Sequence, residues 1–456
     1  MIVQHFFIKG IAHSSYLVGG NENCAIVDPS RDVKHYIDAA KELGLAVTHI
    51  LETHLHADFV SGHLELAEKT GATIYAPAAG NCRFDHIPAA EGTTFRIEDM
   101  SCRVIETPGH TPEAISYVVT DLARGEKPVA AFTGDALFVG DVGRPDLFPG
   151  KAKDLASQLY DSLHERLLTL PDFCEVYPTH GAGSLCGRAL GAKRWSTIGY
   201  EKMYNTALQI EDREEFIRSL TTNMPAAPDH FSRCSAINRK GPPLIRSLPR
   251  LKPLDAKAFS DIANETKAVV LDVRGYDAYG GQHIPGSYHI DLAGNFATFA
   301  GWVLPPDTDI LLVSEDPCQA ENAQTWLRRV GLDRTVGFLD GGVHAWTLAG
   351  FNTDHVPQVS SQEVHGMIIS KSETLLLDVR SPEEYEETHV SGGLNIPVPD
   401  LRTRTDELDP NRGMILMCRT GHRSSLGCSL LKQKGFEKVF NAAGGITGYT
   451  AAGFIP

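Results

Sequence analysis

The sequence predicts an α/β protein of about three domains, and three observations support this. The chain has 456 residues, and a domain takes roughly 150 residues. Short apolar runs that end in polar loops alternate with helical stretches, which is typical of α/β folds with parallel sheets. An internal repeat in the last part of the chain predicts two copies of one domain.

Composition excludes several classes of protein. The net charge is −15, which disfavours binding to nucleic acid. No apolar run is long enough to cross a membrane, and the first residues lack the basic segment of a signal peptide. The nine cysteines are scattered and odd in number, which indicates a reducing compartment rather than a disulfide framework. We expect a cytoplasmic protein.

The repeat sets the expected domain boundaries. Val-Val-Leu-Asp-Val-Arg at 269–274 returns as Leu-Leu-Leu-Asp-Val-Arg at 375–380, and a Gly-Gly pair follows in each copy. The Asp and Arg of each motif predict an ion pair that holds the fold. A stretch rich in proline and basic residues precedes the first copy and predicts an extended linker. The expected divisions are a first domain at 1–235, a linker at 236–253 and the two copies at 254–353 and 358–456.

Four loops of the first domain carry histidine and aspartate just after apolar runs. Imidazole and carboxylate groups at this density are typical ligands of zinc, iron or manganese, and the loops lack the cysteines of a structural zinc site. Polar groups at strand ends are where α/β active sites collect, so we expect one metal centre. The candidates are His54, His56 and Asp58, then His110, Asp135 and His180.

These motifs resemble the metallo-β-lactamase superfamily, which implies a four-layer αββα sandwich over about residues 1–235. Motifs at 134–138, 143–146 and 196–199 resemble the branch that holds glyoxalase II and the persulfide dioxygenases. The first loop departs from the superfamily pattern at Phe59, where a histidine usually helps to hold a second metal. This departure favours the persulfide dioxygenases, which use a single iron.

Carried onto this chain, the resemblance implies one Fe(II) held by His54, His110 and Asp135. His56, Asp58 and His180 would then orient these ligands or water through hydrogen bonds. Zinc held by His54, His56 and His110 remains an alternative.

Two further residues of the first domain have open roles. Cys186 is either a buried small apolar residue or a thiol that accepts persulfide sulfur near the iron. Arg144 either meets the carboxylate of a glutathione-like substrate or forms a surface salt bridge.

A cysteine loop in the second copy predicts anion chemistry. Cys418 follows an apolar strand and opens a helical stretch, with Arg419, Gly421 and Arg423 beside it. Backbone N–H groups at a helix N-terminus and two arginines stabilise a thiolate and an anion above it. This pattern favours sulfur or phosphoryl transfer.

The loop and its flanking motifs resemble the rhodanese sulfurtransferases. Four residues separate Cys418 from Arg423, whereas related phosphatases have a longer loop, so the resemblance implies a sulfane sulfur on Cys418. In the first copy Ser314 stands at the equivalent position and acidic residues follow it. We expect 254–353 to be a rhodanese-like domain without sulfurtransferase activity.

The chain as a whole resembles persulfide dioxygenase–rhodanese fusions. The resemblance implies oxidation of a small thiol persulfide by O₂ to sulfite, coupled to formation or use of thiosulfate at Cys418, in sulfide detoxification. The carrier thiol stays open among glutathione, coenzyme A and bacillithiol, and the branch implies a homodimer or higher oligomer. The alternatives are a glyoxalase II-like zinc thioester hydrolase fused to a sulfurtransferase, and a sulfur-relay scaffold in which only Cys418 reacts.

Overall fold

The computed structural model describes residues 1–188, 190–222, 224, 226–370 and 374–455. The chain divides into two compact units, one of residues 1–247 with 328–331 and the other of residues 248–327 with 332–456. None of the helices in these described ranges combines the length and apolarity that crossing a bilayer requires.

The first unit is built on two six-stranded sheets. The first has the order β1-β2-β3-β4-β5-β6 and the second the order β12-β11-β10-β9-β8-β7. The strands are β1 Ile2–Ile8, β2 His13–Gly19, β3 Asn23–Val27, β4 Ala46–Leu51, β5 Thr73–Pro77, β6 Ile87–Ala89, β7 Thr94–Ile97, β8 Met100–Glu106, β9 Ile115–Asp121, β10 Ala130–Gly134, β11 Glu175–Pro178 and β12 Ser196–Thr197. The helices are α1 Lys34–Glu42, α2 His63–Thr70, α3 Ala152–Asp161, α4 Ile198–Tyr204, α5 Arg213–Thr221 and α6 His230–Lys240.

Side-chain alternation along the strands explains the layering. On β9, Ile115, Tyr117 and Val119 face the apolar layer between the two sheets, whereas Val118 faces a cluster shared with helices α3 and α5. A strand with apolar residues on both faces must be covered on both sides. The outer face of the first sheet packs in the same way on α1 and α2. The predicted αββα sandwich is confirmed.

The second unit holds two sheets of five parallel strands with the same connectivity. Their orders are β13-β17-β16-β14-β15 and β18-β22-β21-β19-β20. The strands are β13 Lys252–Leu254, β14 Val269–Asp272, β15 Tyr288–His289, β16 Ile310–Val313, β17 Thr335–Leu339, β18 Gln358–Val359, β19 Leu375–Asp378, β20 Leu394–Asn395, β21 Met414–Met417 and β22 Val439–Ala442. The helices are α7 Ala256–Thr266, α8 Tyr276–Gly281, α9 Phe296–Val303, α10 Pro317–Arg329, α11 Gly342–Leu348, α12 Ser361–Ile369, α13 Pro382–Glu387, α14 Leu401–Arg404, α15 His422–Gln433 and α16 Gly445–Ala451.

The repeated Asp-Val-Arg motif forms the expected ion pairs. Arg274 lies 2.6 Å from Asp272, and Arg380 lies 2.7 Å from Asp378. Each guanidinium also donates to a backbone carbonyl of the helix that follows. These carboxylates therefore hold the fold together.

The segment predicted as an extended linker differs from that expectation. Its first residues belong to α6, where Phe231, Cys234 and Asn238 recur at helical spacing and are buried. Its last residues form β13, which pairs in parallel with β17. Between these two elements a short 3-10 helix spans Ile245–Ser247.

Candidate metal centre and cysteine loop

Three residues from three different loops converge in the first unit. His54 lies just after β4, His110 in the turn after β8, and Asp135 directly after β10. The Asp135 Oδ2 atom lies 3.3 Å from His110 Nε2 and 3.7 Å from His54 Nε2. All three side chains are buried, and their ligand atoms lie within 4.8 Å of one another. This is the set that the sequence resemblance implies for the metal.

Hydrogen bonds fix how the two imidazoles face this point. The Thr53 hydroxyl donates to Asp28 and so accepts from His54 Nδ1, at 2.9 Å. The Arg144 carbonyl accepts from His110 Nδ1, also at 2.9 Å. Both Nδ1 atoms therefore carry the proton, and both Nε2 atoms present lone pairs.

These lone pairs make the site fit a metal ion. The Nε2 atoms of His54 and His110 are buried and have no hydrogen-bond partner. Buried polar atoms in proteins nearly always have a partner, so an exception needs an explanation. Burial lowers the pKa of His54 and the pKa of His110, so both rings are neutral. Two neutral imidazoles and a carboxylate aimed at one point suit a divalent transition metal, with open positions for other ligands.

His180, Asp58 and Cys186 form a second group beside the first. His180 Nδ1 lies 2.8 Å from Asp135 Oδ1, and its Nε2 lies 2.8 Å from Asp58 Oδ2. Burial would lower the pKa of His180, but Asp135 and Asp58 raise it well above its ordinary value. His180 therefore links Asp58 to Asp135.

The Cys186 thiol is buried, as the first of its two sequence interpretations expects. It lies within 4.8 Å of ligand atoms of Asp58 and His180, yet it is fully buried in an apolar cluster with Phe138 and Phe231. Burial, together with the charges of Asp58 and Asp135, raises the pKa of the Cys186 thiol well above its ordinary value. The thiol is therefore protonated in this environment.

His56 belongs to a third group, with Asp28 and Glu52. Its Nε2 lies 3.2 Å from Asp28 and 3.7 Å from Glu52. Burial would lower the pKa of His56, but Asp28 raises it above its ordinary value. These two carboxylates hold the Nε2 side of the buried ring.

Phe59 closes the position where a further histidine would stand. Its side chain is 0% exposed, and its ring packs against those of His56 and His13, with centroids 4.4 Å and 4.1 Å away. A phenyl ring has no lone pair to offer a metal. It makes this side of the site apolar.

Arg144 forms a salt bridge, as one of its two sequence interpretations expects, but the residue is buried rather than at the surface. The side chain is 2% exposed and binds Asp146 through two hydrogen bonds of 2.7 and 2.8 Å. It also donates to the Leu185 carbonyl, and its backbone N–H donates to the Cys186 carbonyl. Arg144 thus fastens the loop that carries Cys186.

Sequence reasoning missed several residues that support the metal loops. Asn238 on α6 donates to the carbonyls of His56 and Phe59, each at 2.8 Å, and accepts from the Ser61 N–H at 2.9 Å. Asn238 lies in the predicted linker, so no local pattern marked it. Asp28 directly follows β3. The expectation that functional polar residues lie at strand ends, which identified Asp135, applies equally to Asp28.

In the second unit, the cysteine loop directs hydrogen-bond donors at the sulfur atom of Cys418. Cys418 follows β21 directly, is 1% exposed, and accepts hydrogen bonds at Sγ from the Gly421 N–H at 3.1 Å and the Ser424 hydroxyl at 3.4 Å. The start of α16 holds the loop, since Ile446 donates to the Cys418 carbonyl at 2.8 Å. An added Cβ at Gly445 would lie 2.3 Å from that carbonyl, which explains the second glycine of the Gly-Gly pair.

The two arginines of the loop have different surroundings. Arg423 is paired in bidentate fashion with Glu384, at 2.6 and 2.7 Å. Arg419 is exposed beside Cys418. Arg419 is therefore open to solvent, while Arg423 ties the loop to α13.

The first copy of this fold has a serine in place of the nucleophile. Ser314 follows β16 directly, as Cys418 follows β21. Its hydroxyl donates to the Asp316 carbonyl at 2.9 Å, and the exposed Glu315 follows it. This loop lacks both the thiol and the positive charge of the second copy.

Comparison with known proteins places both parts of the chain. The profile of the Metallo-beta-lactamase superfamily matches residues 8–180, and that of the Rhodanese-like domain matches residues 255–349 and 360–452. Persulfide dioxygenase ETHE1, mitochondrial, from Mus musculus is 32% identical over 231 residues, which are 49% of this chain and 83% of the relative. Hydroxyacylglutathione hydrolase from Rhodospirillum rubrum is 38% identical over 159 residues, 34% of this chain and 57% of that relative.

A solved structure extends the likeness beyond the first unit. A metallo-beta-lactamase from Staphylococcus aureus is 35% identical, with a TM-score of 0.66, and the match covers 74% of this chain and 98% of that one. The match spans more of the chain than the metal-binding unit alone. The chain belongs to the metallo-β-lactamase superfamily, within the family of persulfide dioxygenases, and carries two rhodanese-like domains after its metal-binding domain.

Proposed function

We propose that the first unit oxidises a low-molecular-weight thiol persulfide with O₂, and that Cys418 transfers sulfane sulfur. The overall first reaction converts RSSH, O₂ and water to RSH, sulfite and two protons. The observation that carries the proposal is the convergence of two buried, unpartnered Nε2 atoms on Asp135. Two histidines and one carboxylate on one face are the ligand set of non-heme Fe(II) oxygenases.

The residues around this set prepare the site for the proposed reaction. Iron(II), held by His54, His110 and Asp135, supplies the redox chemistry that O₂ requires to react with a closed-shell sulfur compound. His180 and Asp58 hold Asp135 in place. Phe59 packs against His56 and offers no ligand atom at the neighbouring position, which favours a single metal.

The second activity uses the Cys418 loop. The Cys418 thiolate attacks the outer sulfur of RSSH, a new S–S bond forms, and the RS–S bond breaks with release of RSH. Sulfite then takes the sulfane sulfur and leaves as thiosulfate, which restores the thiolate. Gly421 and Ser424 stabilise the anionic sulfur before and after transfer, and the exposed Arg419 attracts the anionic substrate. The fusion of both activities raises the effective concentration of the shared intermediate.

A zinc thioester hydrolase is the second candidate, because hydroxyacylglutathione hydrolase is among the relatives. Phe59 argues against it, since a two-metal site needs a ligand there. In this alternative zinc would be held by His54, His56 and His110. His56 Nε2 is paired with Asp28, so His56 Nδ1, which is buried and has no hydrogen-bond partner, would be the ligand atom in this alternative.

Anaerobic metal analysis followed by O₂ uptake tests the proposal. We expect about one iron per chain and O₂ consumption that depends on glutathione persulfide. Two zinc ions per chain, thioester hydrolysis and no O₂ uptake would assign the first unit to the hydrolases. For the second unit, Cys418→Ser should abolish sulfur transfer from thiosulfate to cyanide.

A further inference from the structure

The two copies in the second unit meet at the cysteine loop. His422, the first residue of α15, places its Nδ1 2.9 Å from the Asp291 carboxylate, which follows β15 in the first copy. Asp291 is buried and also accepts from the Ala293 N–H at 2.8 Å and the Tyr276 N–H at 3.2 Å. The first copy therefore holds this carboxylate rigidly against the loop of the second.

Tyr276 of the first copy covers the turn beside the reactive sulfur. Its ring meets the His422 ring edge-on, with centroids 5.1 Å apart and planes at 85°. An added Cβ at Gly421 would lie 3.3 Å from the Tyr276 ring. Gly421 supplies the N–H that faces Cys418 Sγ. The Tyr276 ring thus packs against Gly421, whose N–H group must point at the Cys418 sulfur.

A third contact anchors the helix behind the loop. His289 on β15 binds the Ser425 hydroxyl through Nδ1 at 2.8 Å and donates its backbone N–H to Ser429 at 3.1 Å. Its Nε2 lies 2.9 Å from the Arg274 carbonyl. All of these groups are buried, so the two copies form a tightly packed interface at this contact.

We propose that the first rhodanese-like copy, which has Ser314 at the nucleophile position, supplies Asp291 and Tyr276 as positioning residues of the Cys418 sulfurtransferase site. Asp291 holds His422 and Tyr276 holds Gly421, so that the Gly421 N–H stays directed at the sulfur. This N–H stabilises the thiolate that attacks the persulfide and the Cys418 persulfide anion that results. The inference rests on the proposed role of Cys418.

The test uses the full-length protein with Asp291→Asn, Tyr276→Ala and Tyr276→Phe. Asp354→Asn is the matched control, because Asp354 pairs at 3.0 Å with Lys432 on the same helix α15 but away from the loop. The first measurement is kcat/KM for sulfur transfer from thiosulfate to cyanide. The second is the pH midpoint of Cys418 alkylation by iodoacetamide, followed by peptide mass spectrometry.

We expect Asp291→Asn and Tyr276→Ala to lower kcat/KM by about fivefold or more and to move the alkylation midpoint to higher pH. Tyr276→Phe, which keeps the ring, should restore both values, and Asp354→Asn should leave both at the wild-type level. If Tyr276→Ala fails to fold, the isosteric Asp291→Asn carries the test alone.

Wild-type values in Asp291→Asn and in a folded Tyr276→Ala would overturn the inference, as would equal losses in Asp354→Asn, which would indicate general loosening of the interface. A failure of the proposed function itself has a different signature. In that case Cys418→Ser would keep the transfer activity, whatever the first-copy variants do.

Discussion

At the scale of single residues, Asp28 holds three parts of the metal centre together. Its φ is +48°, in a region that aspartate tolerates better than most residues. From there its carboxylate accepts from the Thr53 N–H at 2.8 Å and from the hydroxyls of Thr53 at 2.8 Å and Thr179 at 2.6 Å. Burial would raise the pKa of Asp28, but His56 and these hydrogen bonds lower it. The ionised carboxylate can therefore fix the Thr53 hydroxyl that orients His54.

His422 gives a prediction about pH at the same scale. The hydrogen bond that His422 donates to Asp291 raises the pKa of His422 above 6.5, burial opposes this, and the charges of Asp291 and Asp277 add to it. A raised folded-state pKa contributes stability that is complete below the unfolded pKa and is lost as pH rises through the folded value. We expect the melting temperature of the wild type to exceed that of Asp291→Asn most below about pH 6.5.

Melting curves recorded between about pH 5 and pH 9 check this. The difference between wild type and Asp291→Asn should shrink toward alkaline pH, while Asp354→Asn should show no such trend between pH 6 and 8. A difference that stays constant with pH would show that His422 is not held as a cation by Asp291.

At the scale of elements, helix α6 acts as a clamp on the loop that follows β4 and carries His54 and His56. Asn238 is 0% exposed and satisfies three backbone groups of that loop. Asn238→Ala should lower the melting temperature of the first unit and reduce bound iron, because each buried group left unpaired costs about 1–3 kcal/mol. Calorimetry and the iron-to-protein ratio measure both effects.

Asn21→Ala is the control for this clamp, because Asn21 is exposed and its bond to Glu98 uses the backbone N–H. Full iron content and an unchanged melting temperature in Asn238→Ala would mean that the loop holds its shape without α6.

The turn of the cysteine loop supports a second prediction about an element. Gly421 has a φ of +102° and Gly435 a φ of +86°, so alanine strains the backbone at either position, by roughly 1–2 kcal/mol. Only at Gly421 would the new Cβ meet other atoms, the Tyr276 ring at 3.3 Å, whereas nothing lies within 4 Å at Gly435. Gly421→Ala should lower sulfur transfer by roughly tenfold or more.

Gly435→Ala should cost similar stability and leave transfer intact. Thiocyanate formation and thermal melting of the two variants give the comparison. Equal activity in both would indicate that the direction of the Gly421 N–H does not limit transfer.

At the scale of the whole molecule, the candidate metal site and the cysteine loop lie in different units of the chain. The metal-facing residues all lie in the first unit, and the cysteine loop with its supporting contacts lies in the second. We therefore expect the two activities to be separable. Cys418→Ser should abolish thiosulfate formation yet keep O₂ uptake with glutathione persulfide. Asp135→Asn should abolish O₂ uptake yet keep thiosulfate formation when sulfite is supplied with the persulfide.

An oxygen electrode and a thiosulfate assay on the same preparations measure both activities. Loss of O₂ uptake in Cys418→Ser would contradict separability and would make Cys418 part of the oxidation itself.

The sequence by itself determined the parts of this protein that depend on local pattern. Strand ends marked six candidate residues, among them His54, His110 and Asp135, the repeat marked two copies of one fold, and Ser314 marked the copy without the cysteine, because these features are read from neighbours along the chain. The folded structure decided which distant groups meet. It brought Asn238 of α6 under the metal loop, buried Arg144 against Asp146, and set Asp291 beside His422. Such contacts join residues far apart in sequence, and their partners are chosen by packing and buried hydrogen bonding, which no spacing along the chain encodes.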